Sequence, residues 1–119
     1  MLLALVGAWP FEASIRRALR YDGLIPTIRD GGGMRQPTPL ELPDIVKGIS
    51  ERRDDSSPFD IVVEGTTSTS DRDRAVEKVR PWAEAGATWY LEARWGVKEG
   101  ADAIEQFQRR IAAGPPRID

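Results

Sequence analysis

A chain of 119 residues with 17 basic and 19 acidic side chains and a formal net charge of -2 is expected to form one ordinary domain. The charges are spread along its whole length, which argues against nucleic acid as a partner, since that footprint needs Lys and Arg clustered on one face. It has no cysteine and no histidine, so disulfides, thiol chemistry, the usual general base and the usual transition-metal ligand are all missing. The longest apolar run, Met1 to Val6, falls far short of the ~20 residues of a membrane span. It also lacks the basic flank and cleavage site of a signal peptide. The expectation is a cytoplasmic protein with no membrane partner, whose chemistry rests on carboxylates, hydroxyls, arginines or a cofactor.

In chain order, Leu2 to Val6 reads as a buried strand stopping at Gly7, and Pro10 opens a helix over roughly Phe11 to Arg20. Phe11, Ile15, Ala18 and Leu19 share one face of that helix, and its basic residues gather toward the C-terminal end that the helix dipole favours. Leu24 to Ile28 is a second strand, expected to be short or distorted because Pro26 removes a ladder donor. Arg29 to Pro37, with Gly31, Gly32 and Gly33 in succession, reads as a mobile loop. It has neither the Lys-Ser/Thr of a Walker loop nor a dinucleotide fingerprint. Thr38 and Glu41 form a capping-box pattern before a helix carrying Ile45, Val46 and Ile49, with Pro43 disturbing its start. A charged turn from Glu51 to Pro58 follows.

The stretch from Phe59 to Trp95 reads as a complete βαβ unit. Phe59, Ile61, Val62 and Val63 form an apolar run without period-2 alternation, as in a parallel strand covered on both faces. It ends in the polar loop Glu64 to Ser70. Ser70 or Asp71 caps a helix with Ala75, Val76, Val79, Trp82 and Ala83 on its apolar face, bent near Arg80 by Pro81 and ended by Gly86. Thr88 to Leu91 is the fourth strand, followed by the loop Glu92 to Gly96. A last helix over about Glu99 to Ala113 places Ile104, Phe107 and Ile111 on one side, and Gly114, Pro115 and Pro116 stop it.

Strict alternation of four strands and four helices predicts an α/β fold with a parallel sheet and right-handed crossovers. Four parallel strands form either an open doubly wound sheet or half of a (βα)8 barrel, whose typical length of ~250 residues is about twice this chain. A lone half-barrel leaves two strand edges and one sheet face open, so the expectation is a homodimer that completes the barrel, or a rearrangement of the first and last elements that covers the edges.

The segments LVGAWP, RRALRYDGLIP, FDIVVEGTT, VRPWAEAGATWYLEARW and RIAAGPPRID, in that order and over nearly the whole chain, resemble the C-terminal half of luciferase-like monooxygenases. These are flavin- or deazaflavin-dependent oxidoreductases built on a (βα)8 barrel. The resemblance implies FMN or a deazaflavin as cofactor. It implies that Val6, Gly7 and Ala8 stand where the family's Val-Gly-Gly approaches the flavin, with the second glycine replaced by Ala8. Asp22 and Gly23 match the family's Asp-Gly pair, and Glu64, Gly65 and Thr66 its Glu-Gly-Thr loop. The family's four N-terminal βα units are missing from this sequence, as is any histidine to serve as acid or base. A fragment and a naturally shortened relative both fit, Met1 directly before a strand agreeing with the second.

Ligands of parallel α/β folds bind at the carboxyl ends of the strands. Together with the resemblance, this implies Gly7, Ala8, Glu64, Gly65, Thr66, Thr67, Glu92 and Trp95 as the candidate cofactor-binding residues. No catalytic residue is assigned. Glu64 and Glu92, at the ends of neighbouring strands, are a candidate acid–base pair or joint holder of a hard divalent cation; the alternative is that each is held by backbone amides or by Arg94 or Arg29. The hydroxyls from Thr66 to Ser70 either accept a phosphate or form a solvated cap. Trp9, Trp89 and Trp95 are candidates for stacking on a flat ring, Trp95 first, against a role in the core or an interface. Two functions stand: a flavin- or deazaflavin-binding oxidoreductase made from paired half-barrels, and a non-catalytic, self-associating half-barrel that binds a small ligand, divalent metal or protein partner.

Overall fold

The computed structural model describes residues 2–95 and 100–118. Four strands are parallel and lie side by side in chain order: β1 (Ala4–Trp9), β2 (Gly23–Asp30), β4 (Asp60–Gly65) and β5 (Trp89–Glu92). There is no point at which the strand order reverses, unlike a doubly wound sheet. Helices α1 (Glu12–Ala18), α2 (Leu42–Arg52) and α3 (Arg72–Ala85) are the crossovers, and α4 (Ala101–Ala113) follows β5. The fold is thus α/β with a mostly parallel sheet and four helices among the described residues.

Register fixes which side chains face the helices. Leu5, Leu24 and Ile61 align across three strands, as do Gly7 with Pro26, and Val63 with Tyr90. Ile15 and Ala18 of α1 and Leu42, Ile45 and Ile49 of α2 close on Leu24, Ile61 and Val63, and Trp82, Ala85 and Tyr90 pack at the margin. Alternation sends Val6, Ile25, Val62, Glu64, Trp89 and Leu91 to the other face. On that face Val6, Trp89 and Leu91 are 56%, 49% and 43% exposed, whereas Val62 is buried and Ile25 half-buried.

Several expectations are corrected. β1 starts at Ala4 and runs through Gly7 to Trp9. It continues there because Gly7 lets Leu24, Ile15 and Ala18 close over the strand: a Cβ on Gly7 would run into Leu24 Cδ1. β2 is eight residues long despite Pro26. Its ladder with β4 ends at Leu24, two residues before the proline, so no donor is missed on that side. The stretch after it is no mobile loop but a hairpin: β3 (Gly33–Arg35) pairs antiparallel with Ile28 to Asp30 across a turn at Gly31 and Gly32. Gly31, at φ 62, supplies the left-handed conformation such a turn needs.

A clasp of charges holds the hairpin to α2. Arg35 donates to both carboxylate oxygens of Glu41, at 2.8 and 2.9 Å, and to Asp30. Thr38 and Glu41 do form the reciprocal capping box, through Thr38 N–H to Glu41 and Glu41 N–H to Thr38. It closes the turn just before α2, and Pro43 sits inside the first helical turn. The Arg35 guanidinium, helped by the Thr38 N–H, holds the Glu41 carboxyl down at about 2. On α2, Gly48 lets the Trp9 indole lie against the helix backbone, and Arg52 stacks 5.0 Å over that ring while pairing with Glu12 of α1.

Helix α3 is capped by Asp71, whose carboxylate accepts from Arg74 N–H at 3.1 Å. It runs unbroken through the exposed Pro81 to Gly86, whose φ of 111 closes it as expected. In α4 the expected apolar side is not packed: Ile104, Phe107 and Ile111 are exposed and Ala103 alone is buried. Glu99, the expected start of that helix, and Gly96 of the preceding loop lie outside the described residues. No described helix is long and apolar enough to cross a membrane.

Candidate functional site

The carboxyl ends of β4 and β5 bring together most of the residues singled out in the sequence, but on two sides of the sheet. Glu64 pairs in register with Leu91, and Glu92 with Gly65. Neighbours in register share a face, so one residue of offset sends the two carboxylates to opposite faces. This corrects the expectation of a joint acid–base pair or shared cation site. Among the described residues no group of three potential metal ligands occurs.

Glu92 is fixed on the helix side. Its Oε1 accepts the Thr67 N–H at 3.0 Å and its Oε2 accepts the Thr67 hydroxyl at 2.7 Å. Arg94 pairs with Oε1 at 3.2 Å and also donates to the Thr67 carbonyl at 2.9 Å. Thr67, 3% exposed, is the centre of this network, because its hydroxyl also accepts from Arg110 of α4 at 2.7 Å. Arg110 donates further to the carbonyls of Ser68 and Gly114. A carboxylate whose two oxygens are both taken up by hydrogen bonds is a structural anchor rather than a free base.

Thr66 is likewise committed: its hydroxyl donates to the Ala93 carbonyl at 2.7 Å. Gly65 is required by packing, since a Cβ there would strike the Tyr90 hydroxyl. That hydroxyl is buried with no hydrogen-bond partner, as is Arg94 Nε. Burial, and after it the Glu92 charge, pushes the Tyr90 phenol up from its ordinary value.

Glu64 lies on the open face, half-buried. Its Oε1 accepts from the Trp95 indole N–H at 2.9 Å, and Trp95 is 83% exposed. The Glu64 backbone is gripped by a residue that the sequence did not single out. Gln36, just after β3, donates its amide N–H to the Glu64 carbonyl and accepts the Glu64 N–H, both at 2.8 Å. Its side chain thereby stands in for the strand partner that β4 lost where the β2 ladder ended. No local signal marks Gln36; its role depends on a residue 28 positions away.

Gly7 is not at this mouth. It lies in the core beneath α1, so the expected approach of its backbone to a flavin is corrected by the packing of Leu24 and Ile15. Ala8 is on the open face, its N–H bonded to Ser14 Oγ at 2.9 Å. Trp9 is taken by Gly48 and Arg52 on the helix side, leaving Trp89 and Trp95 as the exposed indoles of the open side. Of the eight candidates, the open face therefore gathers Ala8, Glu64 and Trp95, whereas Thr67 and Glu92 form a separate polar knot behind the sheet. Comparison of the chain with protein families, curated proteins and solved structures finds no match.

Proposed function

We propose that this chain is half of a (βα)8 barrel whose open sheet face is covered by a second copy of itself, and that the mouth so formed binds a flavin or deazaflavin for oxidoreductase chemistry. The observation that carries the reading is the uncovered part of that face: Val6, Trp89 and Leu91 are apolar and exposed, and Glu64 with Trp95 stands at the carboxyl end. Parallel sheets are found with both faces buried, so this surface calls for a cover of matching curvature. Parallel strands in chain order with helices on one face are also how half of such a barrel is built. The sequence resemblance to luciferase-like monooxygenases supplies the cofactor class.

In this reading Trp95 stacks on the flat ring and Glu64 accepts a ring or ribityl donor. The test is a fluorescence titration with riboflavin, FMN and the deazaflavin cofactor, alongside light scattering. The expected result is a dimer that quenches at least one flavin, with quenching lost in Glu64→Ala combined with Trp95→Ala. A strict monomer that quenches none of the three overturns it. A non-catalytic, self-associating half-barrel is the second reading, favoured because Glu92 is fully engaged by Thr67 and Arg94. A dimer that leaves all three flavins unquenched selects it.

A further inference from the structure

Behind the sheet, the loop after β4, the first turn of α3 and the end of α4 enclose a cleft of about 440 Å3. Arg72, Arg110 and Arg117 line it together with Ser68, Thr69 and Ser70, and no carboxylate is among its lining residues. Arg110 is held in place by neutral acceptors only: the Thr67 hydroxyl and the carbonyls of Ser68 and Gly114. The nearest acid in its network, Glu92, is already matched by Arg94 at 3.2 Å. Asp71 is turned to its own helix as the cap of Arg74. Neither Arg72 nor Arg110 forms an ion pair among the described residues. In a chain of net charge -2, this is a local surplus of guanidinium charge, of which Arg110 is held in place before any ligand arrives.

The cleft continues past Arg110 and Gly114 into a second lobe of about 290 Å3, lined on its apolar side by Val79, Ile111, Pro115 and Pro116 and on its polar side by Tyr90 and by Glu92, the carboxylate already paired with Arg94. We propose that the two lobes together bind a small phosphate monoester, its phosphate between Arg72, Arg110 and Arg117 and its apolar body against Ile111 and Pro116. Guanidinium forks match phosphate oxygens bidentately, and serine hydroxyls supply the remaining donors. The site lies across the sheet from Glu64 and Trp95, so it stands apart from the flavin reading.

The experiment is calorimetric titration of the full chain with phenyl phosphate, inorganic phosphate and phenol at low salt. Arg72 and Arg117 are exposed at the rim, so Arg72→Gln combined with Arg117→Gln leaves the fold intact while removing two of the three charges. Phenyl phosphate is expected to bind more tightly than inorganic phosphate, phenol not at all, and the double variant roughly tenfold or more weakly. Glu64→Ala with Trp95→Ala is expected to leave phenyl phosphate binding unchanged. No heat from phenyl phosphate, equal affinity in the double variant, or tighter binding of inorganic phosphate overturns the proposal.

Discussion

Replacing Thr67 by valine keeps the shape of the side chain and removes one oxygen. That oxygen donates to Glu92 at 2.7 Å and accepts from Arg110 at 2.7 Å, and the residue is 3% exposed, so no water takes its place at Thr67 itself. Hydrogen bonds to charged groups contribute about 1.5 to 3 kcal/mol each. The Glu92 side chain is 25% exposed and Arg110 is half-buried, so both recover part of that loss, which leaves an expected destabilisation of about 2 to 3 kcal/mol for the pair. A chain of 119 residues unfolds with an entropy of about 0.25 kcal/mol/K near its midpoint, so the shift in Tm is about 10 °C. The control is Thr67→Ser, which keeps the hydroxyl and loses one buried methyl, for about 1 kcal/mol. Urea and thermal unfolding of the three proteins at neutral pH measure it. If Thr67→Val costs no more than Thr67→Ser, the hydroxyl is not the centre of the network and the reasoning fails.

The Tyr90 hydroxyl, buried without a partner, predicts that Tyr90→Phe is neutral or stabilising by up to about 1 kcal/mol in urea unfolding; a clear loss would reveal a partner. A methyl at Gly65 meets that same hydroxyl, so Gly65→Ala is expected to cost about 1 to 3 kcal/mol, and less in the Tyr90→Phe background, as a double-mutant cycle will read. Glu41 titrates near 2 when folded and near 4.5 as a free carboxyl, its folded value depressed. Its stabilising effect is therefore complete above the free value and is lost as pH falls toward 2. The stability difference between wild type and Glu41→Gln is expected to be constant from neutral pH to about 5 and to close below that. A gap that persists at pH ~2 contradicts the Arg35 clasp as its source.

The alternation of strands and helices was legible because each element carries its own signal. The buried run at Ile61 to Val63, the Asp71 cap and the Gly86 and Gly114 stops are all local. What escaped the sequence was set by register and by distant partners. Glu64 and Glu92 look equivalent until pairing of Gly65 with Glu92 turns them to opposite faces. The three glycines after Asp30 are as compatible with a loop as with a hairpin; pairing of Gly33 with Asp30 decides it. Arg110 reads as an ordinary basic residue near a helix end, and only the fold brings it to Thr67, 43 positions earlier. The stripe of Ile104, Phe107 and Ile111 has correct helical spacing, yet spacing reports a face and not what covers it.

The grip of Gln36 on Glu64 also says how the sheet comes apart. Among the described residues, backbone pairing joins β2 to β4 at Gly23 with Asp60 and Leu24 with Ile61. Beyond that, one side-chain amide ties the two halves of the sheet at their carboxyl ends. Because that amide both gives and takes a proton, a glutamate of the same length cannot replace it: its carboxylate would face the Glu64 carbonyl with no donor. The Glu64 N–H should accordingly exchange with solvent on the timescale of hairpin release rather than of global unfolding, a clock for the opening of the mouth.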